Sequence, residues 1–251
     1  MIFNVLTIFP EIFAPVETGV IGRAIDSGLI SLNKINIRDF SANKHKNTDD
    51  YPYGGGDGML MTAQPVVDAF RSISNPGRTI ILSPRGRLLD QEKCLELFEY
   101  DSITLVCGRY EGMDERISEM IADEELSIGD YVLSGGEIAA MIVIDSVSRL
   151  VPGVLGNENG FSRDSHYDGL LEYPQYTRPE VFEGMEVPEV LLSGNHAMID
   201  DFRRRESLAI TWKMRPDMIE KRGLDFKEIE ILCEMFPGDS DMLRKMRKDK
   251  V

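Results

Sequence analysis

Ile103-Thr104-Leu105-Val106-Cys107-Gly108-Arg109-Tyr110-Glu111-Gly112 decides the fold. Five residues with hardly a polar group run into a glycine-bounded polar loop. Such a continuous run marks a strand buried on both faces, as in a parallel sheet covered by helices. Two more stretches repeat the form. Thr79-Ile80-Ile81-Leu82 leads into Ser83-Pro84-Arg85-Gly86, and a predicted strand over 126–133 leads into Ser134-Gly135-Gly136. The segments between them have helical character: 90–100, with Asp90 as N-cap, and 113–122. Further out, 2–9 reads as a strand ending at Pro10, 11–27 as a helix stopped by Gly28, and 29–37 as an alternating strand. Residues 62–73 read as a helix capped by Thr62, and 137–150 as a strongly apolar helix. This alternation predicts an α/β fold with a mostly parallel sheet and helices on its faces. Ligands on such sheets sit at the carboxyl ends of the strands. Three successive strands end there in glycine-containing loops, which can line one pocket.

The texture changes after Pro152. Residues 156–169 are polar, rich in Gly and Asn, and without period. From Met198 onward the pattern is helical, over 199–213, 227–235 and 241–248. The expected organisation is an α/β domain over 1–155, a linker or lid over 156–170, and a small all-helical domain over 171–251.

Composition excludes several classes. The 251 residues are 42% hydrophobic and 28% charged, ordinary for a folded globular chain. Three cysteines and three histidines show no disulfide framework or zinc spacing. The longest apolar run, 139–144, is far too short for a membrane span. The start, Met1-Ile2-Phe3-Asn4-Val5-Leu6, has neither a basic lead nor a small-residue cleavage site, so a cytoplasmic location is expected. The sequence has no P-loop, no complete dinucleotide fingerprint and no nucleophile elbow. Cys107 ends an apolar strand with no histidine nearby, and reads as buried and inert.

The formal charge of −15 is the wrong sign for a general nucleic-acid binder. It is unevenly spread. Residues 111–130 hold eight acids and one base, whereas 203–222 hold seven bases and three acids. Charge alone reads both runs as solvated faces.

One combination is specific. Tyr53-Gly54-Gly55-Gly56-Asp57-Gly58-Met59 precedes the loops at 83–86 and 107–116. Ser127-Ile128-Gly129-Asp130-Tyr131-Val132-Leu133-Ser134-Gly135-Gly136-Glu137 then runs on to Asp145-Ser146-Val147-Ser148-Arg149. Pro152-Gly153-Val154-Leu155-Gly156 and Tyr173-Pro174-Gln175-Tyr176-Thr177-Arg178-Pro179 close the set. In this order, over about residues 1–215, the sequence resembles the bacterial tRNA (guanine-N1)-methyltransferases that modify guanosine 37, beside the anticodon. The resemblance implies a SPOUT-class α/β domain with a deep trefoil knot, S-adenosylmethionine as methyl donor, and a homodimer with its active sites at the interface. It also implies magnesium, although no chelating cluster is legible.

The resemblance places the donor at Gly108 and at Ile128, Gly129, Asp130, Tyr131, Val132 and Leu133. Ser83, Pro84, Gly86, Tyr110, Gly135 and Gly136 are expected to line the same pocket. The residues themselves agree: glycine loops let backbone approach an adenine and ribose, and Leu82, Ile128, Tyr131 and Leu133 can wall an apolar slot. Plain strand core is the competing reading for Ile128, Val132 and Leu133. Ala139 stands where many relatives have proline, which predicts a less rigid loop there. Guanine N1 is a poor nucleophile while it keeps its proton, so the chemistry needs a base and a group to hold charge on O6. The resemblance assigns the base to Asp164, the cation to Arg149 and the guanine edge to Glu111. Without it, these are a linker aspartate, a helix C-terminal cation and a surface acid. Arg203, Arg204, Arg205, Lys213 and Arg215 are the candidate tRNA-binding cations, with Lys44, His45 and Lys46 as a smaller group. A ribose 2′-O-methyltransferase of the same class and a non-catalytic RNA-binding protein remain as alternatives.

Overall fold

The computed structural model describes residues 1–156 and 164–248. The chain divides into two compact units, Met1–Glu158 and Asn159–Val251.

Five strands make the sheet of the first unit: β1 (Ile2–Thr7), β2 (Ser31–Asn36), β5 (Arg78–Leu88), β6 (Ser102–Cys107) and β7 (Glu124–Ser127). Their order is β2-β1-β6-β5-β7, and every neighbouring pair is parallel. A two-stranded antiparallel ribbon, β3 (Asp49–Asp50) and β4 (Leu60–Met61), stands apart from it. The apolar run that predicted a doubly covered strand is β6, at the centre and buried along its whole length. Among the described residues five α-helices belong to this unit: α1 (Gly19–Asp26), α2 (Ala63–Arg71), α3 (Gln91–Phe98), α4 (Glu115–Ile121) and α5 (Glu137–Ser148). Val66 and Ala69 of α2 and Ile117 of α4 join Leu6, Ile81 and Val106 of the sheet in one core. Helix α5 packs on β1 and β6. Leu105 of β6 is fully buried. Truncating such a leucine to alanine typically costs about 2–5 kcal/mol.

Four local features depart from the periodicity. The helix expected over 11–27 is a 3-10 helix, Pro10–Glu17, followed by α1. Pro15 cannot donate to an α-ladder, and Gly19 turns the chain at φ 64°. Thr62 precedes α2, but its hydroxyl donates to Thr48 O at 3.2 Å instead of capping the helix. The strand expected over 126–133 begins earlier and stops at Ser127. Ser127 Oγ accepts from Gly129 N at 3.2 Å, and Gly129 takes φ 152°, so the chain leaves the sheet there. Finally, β5 does not end at Leu82. It ejects residues 83–86 and rejoins the same neighbour, so that Leu82 and Arg87 both register against Leu126.

The second unit is not all-helical. A hairpin, β8 (Val181–Phe182) with β9 (Met185–Glu186), precedes its main helices. Glu183 and Gly184 turn it with φ of 51° and 83°, the paired positive values of a tight hairpin turn. Then follow α6 (Glu189–Leu192), α7 (His196–Met214), α8 (Pro216–Arg222), α9 (Phe226–Met235) and α10 (Ser240–Lys245). Leu208, Trp212, Ile219, Leu224, Leu232 and Leu243 form its core with Leu170. Asp225 and Glu228 close a reciprocal capping box at the start of α9.

Of the expected linker over 156–170, residues 157–163 lie outside the described residues. The part from Asp164 to Leu170 is tied into the second unit. His166 N donates to Leu170 O at 2.7 Å, and Arg222 Nε donates to Asp168 O at 2.8 Å. Leu170 is buried in the core.

Candidate functional site

A cavity of about 450 Å3 opens at the excursion within β5 and at the carboxyl ends of β6 and β7. It falls within the size range of small-molecule sites. Its walls include Leu82, Ser83 and Pro84 from the first loop and Gly108, Tyr110 and Glu111 from the second. The third loop contributes Ile128, Gly129, Tyr131, Val132, Leu133, Gly135 and Gly136. Two expected donor-site positions do not line it. Gly86 packs against the β7 backbone, where a Cβ would overlap Leu126 N, and Asp130 is exposed. Ala139 lies in the first turn of α5 and on the cavity wall. The loop before it is pinned, because Gly136 N donates to Gly108 O at 2.9 Å.

Arg109, which the sequence reading passed over, joins two of these loops. Its Nε donates to Glu137 Oε2 at 2.8 Å and its Nη1 to Ser134 O at 3.1 Å. Its guanidinium carbon lies 4.9 Å from the Phe9 ring centroid. Glu137 is fully buried at the first turn of α5 and also accepts from Thr7 Oγ1 at 2.8 Å. An acid at a helix N-terminus is favoured by the macrodipole. The only signal in the sequence was position: Arg109 follows Gly108, and Glu137 follows Gly135-Gly136.

Two glycines of the third loop serve the protein's own side chains. A Cβ at Gly135 would overlap the Arg109 side chain, and one at Gly129 would overlap the Tyr131 ring. Gly58, in the glycine-rich stretch 53–59, has φ 82°, and a Cβ there would strike Glu111. Glu111 N donates to Met59 O at 3.0 Å, so that stretch sets the backbone and side chain of Glu111 together.

The acidic run 111–130 is not simply a solvated face. Arg85 Nη2 donates to Glu125 Oε1 at 2.7 Å, and Arg85 Nη1 to Glu115 Oε2 at 3.1 Å. Burial raises the Glu125 pKa, but hydrogen bonds from Ser83, Arg85 and Ser118 outweigh it and hold the carboxyl below its usual range. Glu124 pairs with Arg78 at 3.0 Å and with the buried Lys93 at 2.6 Å. Cys107 is fully buried, and burial with the nearby Glu137 drives its thiol pKa well above the ordinary value. That is the state of an inert thiol.

The three assigned catalytic residues fall in different places. Glu111 lines the cavity with the donor-site positions. Arg149 is the C-cap residue of α5 and is not on that wall. Asp164 lies in the second unit, in a hollow of about 190 Å3 with Tyr173, Asp200, Arg203 and Ser207.

The candidate cations do not make one basic face. Consecutive residues on an α-helix point about 100° apart at 3.6 residues per turn. Arg203 lies over the Tyr173 ring, 5.1 Å from its centroid. Arg204 pairs with Asp168 at 2.8 Å and with Glu228. Arg205 pairs with Asp201 at 3.1 Å and Glu234 at 3.0 Å, and Arg215 with Asp217 at 2.7 Å. Lys213 Nζ lies 5.4 Å from the Phe236 ring centroid. Burial of Glu228 opposes its ionisation, but Arg222, Asp225 N–H and Arg204 overcome this and lower its pKa to about 2. Among the described residues no group of three or more His, Cys, Asp or Glu side chains is placed to hold a metal ion. None of their helices is long and apolar enough to cross a membrane.

Comparison with known proteins places this geometry in a family. Residues 1–221 match the family model described as tRNA (Guanine-1)-methyltransferase TrmD. The tRNA (guanine-N(1)-)-methyltransferase of Clostridium perfringens (strain SM101 / Type A) is 53% identical over 234 residues, covering 92% of this chain and 99% of the relative. The protein of that name from Ruminiclostridium cellulolyticum is 54% identical over 226 residues, covering 88% and 97%. That from Dehalococcoides mccartyi is 52% identical over 248 residues, covering 95% and 100%. This chain belongs to the tRNA (guanine-1)-methyltransferase family.

Proposed function

We propose that this chain transfers a methyl group from S-adenosylmethionine to N1 of guanosine 37 in tRNA. The observation that carries the reading is the 450 Å3 cavity built by three strand-end loops, with Glu111 on its wall, in a chain of this family. The residues fit the donor. Leu82, Ile128 and Leu133 offer apolar surface to an adenine, and the glycines at 108, 135 and 136 bring backbone groups to the cavity wall. When bound, the donor supplies a methyl group on a sulfonium, open to direct displacement.

The chain's own residues do the rest. Asp164 accepts the N1 proton as the methyl arrives, the ordinary task of a positioned general base. Arg149 holds the charge that develops on O6. Glu111 accepts from the edge of the guanine, through N1–H or the exocyclic amine. Gly58 and Met59 fix where Glu111 stands. No step is assigned to magnesium, since no donor set for it is assembled among the described residues.

The same reading makes the first unit a knotted SPOUT domain that binds the donor, and the helical part of the second unit a tRNA-binding domain. It makes the protein a cytoplasmic homodimer with its active sites at the interface. The candidate cations, Arg203 and Lys213 in particular, touch the RNA backbone.

Nucleoside mass spectrometry of tRNA, after incubation with the protein and methyl-labelled donor, tests the reading. Labelled 1-methylguanosine is expected. A ribose-methylated nucleoside in its place, or no label, overturns it.

A further inference from the structure

The segment 83–86 leaves β5 between two residues that register against the same point of β7. That pairing fixes its ends and not its middle. Two features fix the middle. Gly86 lies so close to β7 that a Cβ there would overlap Leu126 N and Glu125 O. Arg85 reaches out of the segment in two directions. Its Nε and Nη2 donate to the two oxygens of Glu125, at 3.2 and 2.7 Å, the fork that fits a carboxylate. Its Nη1 donates to Glu115 Oε2 at 3.1 Å. Glu125 stands on β7 and Glu115 opens α4, so one side chain of β5 joins three elements.

The anchor is firm and the arm is wet. Glu125 is 18% exposed, and Ser118 Oγ of α4 donates to its Oε1 at 3.2 Å. Inside the segment, Arg85 N donates to Ser83 Oγ at 3.2 Å. Arg85 and Glu115 are 61% and 62% exposed, so salt reaches them. A lone pair at that exposure contributes little, but a forked pair within a cluster of charges does more. Arg85, Glu115, Ser118 and Glu125 all lie on the wall of the 450 Å3 cavity, beside Ser83 and Pro84. None of the four has a part in the chemistry assigned above.

We propose that Arg85 is a positioning residue of the donor site: it clamps the segment 83–86 to Glu125 and Glu115, so that Ser83 and Pro84 stand on the cavity wall before the donor arrives. The inference rests on the function proposed above, which puts S-adenosylmethionine in this cavity. Arg85 acts through the two carboxylates and not by touching the donor. With the clamp broken, binding has to order the segment itself, and affinity falls by that cost. Because the arm is exposed, salt loosens the clamp.

S-Adenosylhomocysteine, the demethylated donor, has no net charge at neutral pH, so its binding reports the clamp with little direct screening. In calorimetry at low salt, Arg85→Gln should bind it about three- to ten-fold more weakly than wild type. As salt rises to about 1 M, where the screening length is about 3 Å, wild-type affinity should fall toward that of the variant, and the variant's should hardly change. Glu125→Gln should show the same loss as Arg85→Gln, and the double variant no more than either alone. Without ligand, hydrogen exchange at Arg85, Gly86 and Arg87 should be faster in Glu125→Gln than in wild type. Affinity and salt dependence equal to wild type in Arg85→Gln overturn the inference alone. Additive losses in the double variant also overturn it, since Arg85 would then meet the ligand itself. A wild-type protein that binds neither S-adenosylmethionine nor S-adenosylhomocysteine overturns the functional reading, and the inference with it.

Discussion

Arg109 Nε donates to Glu137 Oε2 at 2.8 Å, and this one pair joins the loop after β6 to the start of α5. Glu137 is fully buried, and the Arg109 side chain is 17% exposed. Removing one partner of such a pair strands the other, at a cost of about 3–5 kcal/mol. Glu137→Ala should therefore lower unfolding stability by about that much in urea melts. Glu137→Gln, whose single oxygen can still accept from Arg109 while its NH2 turns to the Thr7 hydroxyl, should cost less. Because Arg109 lines the cavity proposed to hold the donor, Glu137→Gln should also weaken S-adenosylmethionine binding by calorimetry, whereas a purely structural pair would leave that affinity unchanged in the folded variant.

Gly135 is required by Arg109 itself, since a Cβ there would overlap the guanidinium arm. Gly135→Ala should reduce donor affinity in the wild-type background and do so far less when Arg109 is already alanine. Calorimetry on the four proteins of the double-mutant cycle should give a coupling of about 0.5–3 kcal/mol. Simple additivity would show that residue 135 acts on the donor without Arg109.

Asp164→Asn should slow single-turnover methyl transfer by about 10²–10⁴-fold, the usual worth of a positioned base. Donor and tRNA affinities should barely change. Rapid-quench assays across pH should show a rate that rises with pH in the wild type, with a different profile in the variant. A near-normal rate in Asp164→Asn together with a dead Glu111→Gln would move the proton acceptor to Glu111.

Glu228 ties acid stability to the second unit. Its pKa is about 2 in the folded protein, against an ordinary 4.5. In acid the unfolded chain takes up this proton first, so the contribution is complete above about 4.5 and is lost as pH falls toward about 2. The side chain is 4% exposed, and the full contribution is ~3 kcal/mol. Glu228→Gln should lower stability at neutral pH and flatten the acid limb, as followed by tryptophan fluorescence, since Trp212 lies in the same core.

The parts of the fold that were legible share one property: burial on both sides. Strand β6 declared itself through an unbroken apolar run, and the loops at its end through glycines that only a tight turn or a close approach requires. The site misled where apolar residues face a cavity instead of a core. Ile128, Val132 and Leu133 looked like strand, yet they lie in a loop, and Val132 is 89% exposed. The acidic run looked solvated because its partners Arg78, Arg85 and Lys93 come from sequence far away. Arg203, Arg204 and Arg205 looked like one cluster because adjacency in sequence is not adjacency on a helix face. Asp164 and Arg149 carried no signal of their own, and only the order of the surrounding blocks singled them out.

The excursion of β5 has a meaning for how this family can vary. Leu82 and Arg87 both register against Leu126, so the ejected residues are a stitch whose two ends are fastened to one point of the neighbouring strand. Sheet alternation before and after the stitch is therefore independent of how many residues it holds. An insertion between Ser83 and Gly86 would change the shape of the cavity rim and leave inside and outside of the sheet as they are. The same insertion between Thr79 and Leu82 would turn the side chains between it and the stitch to the opposite face. The cavity rim is thus an editable segment set within a strand whose register is fixed on both sides of it.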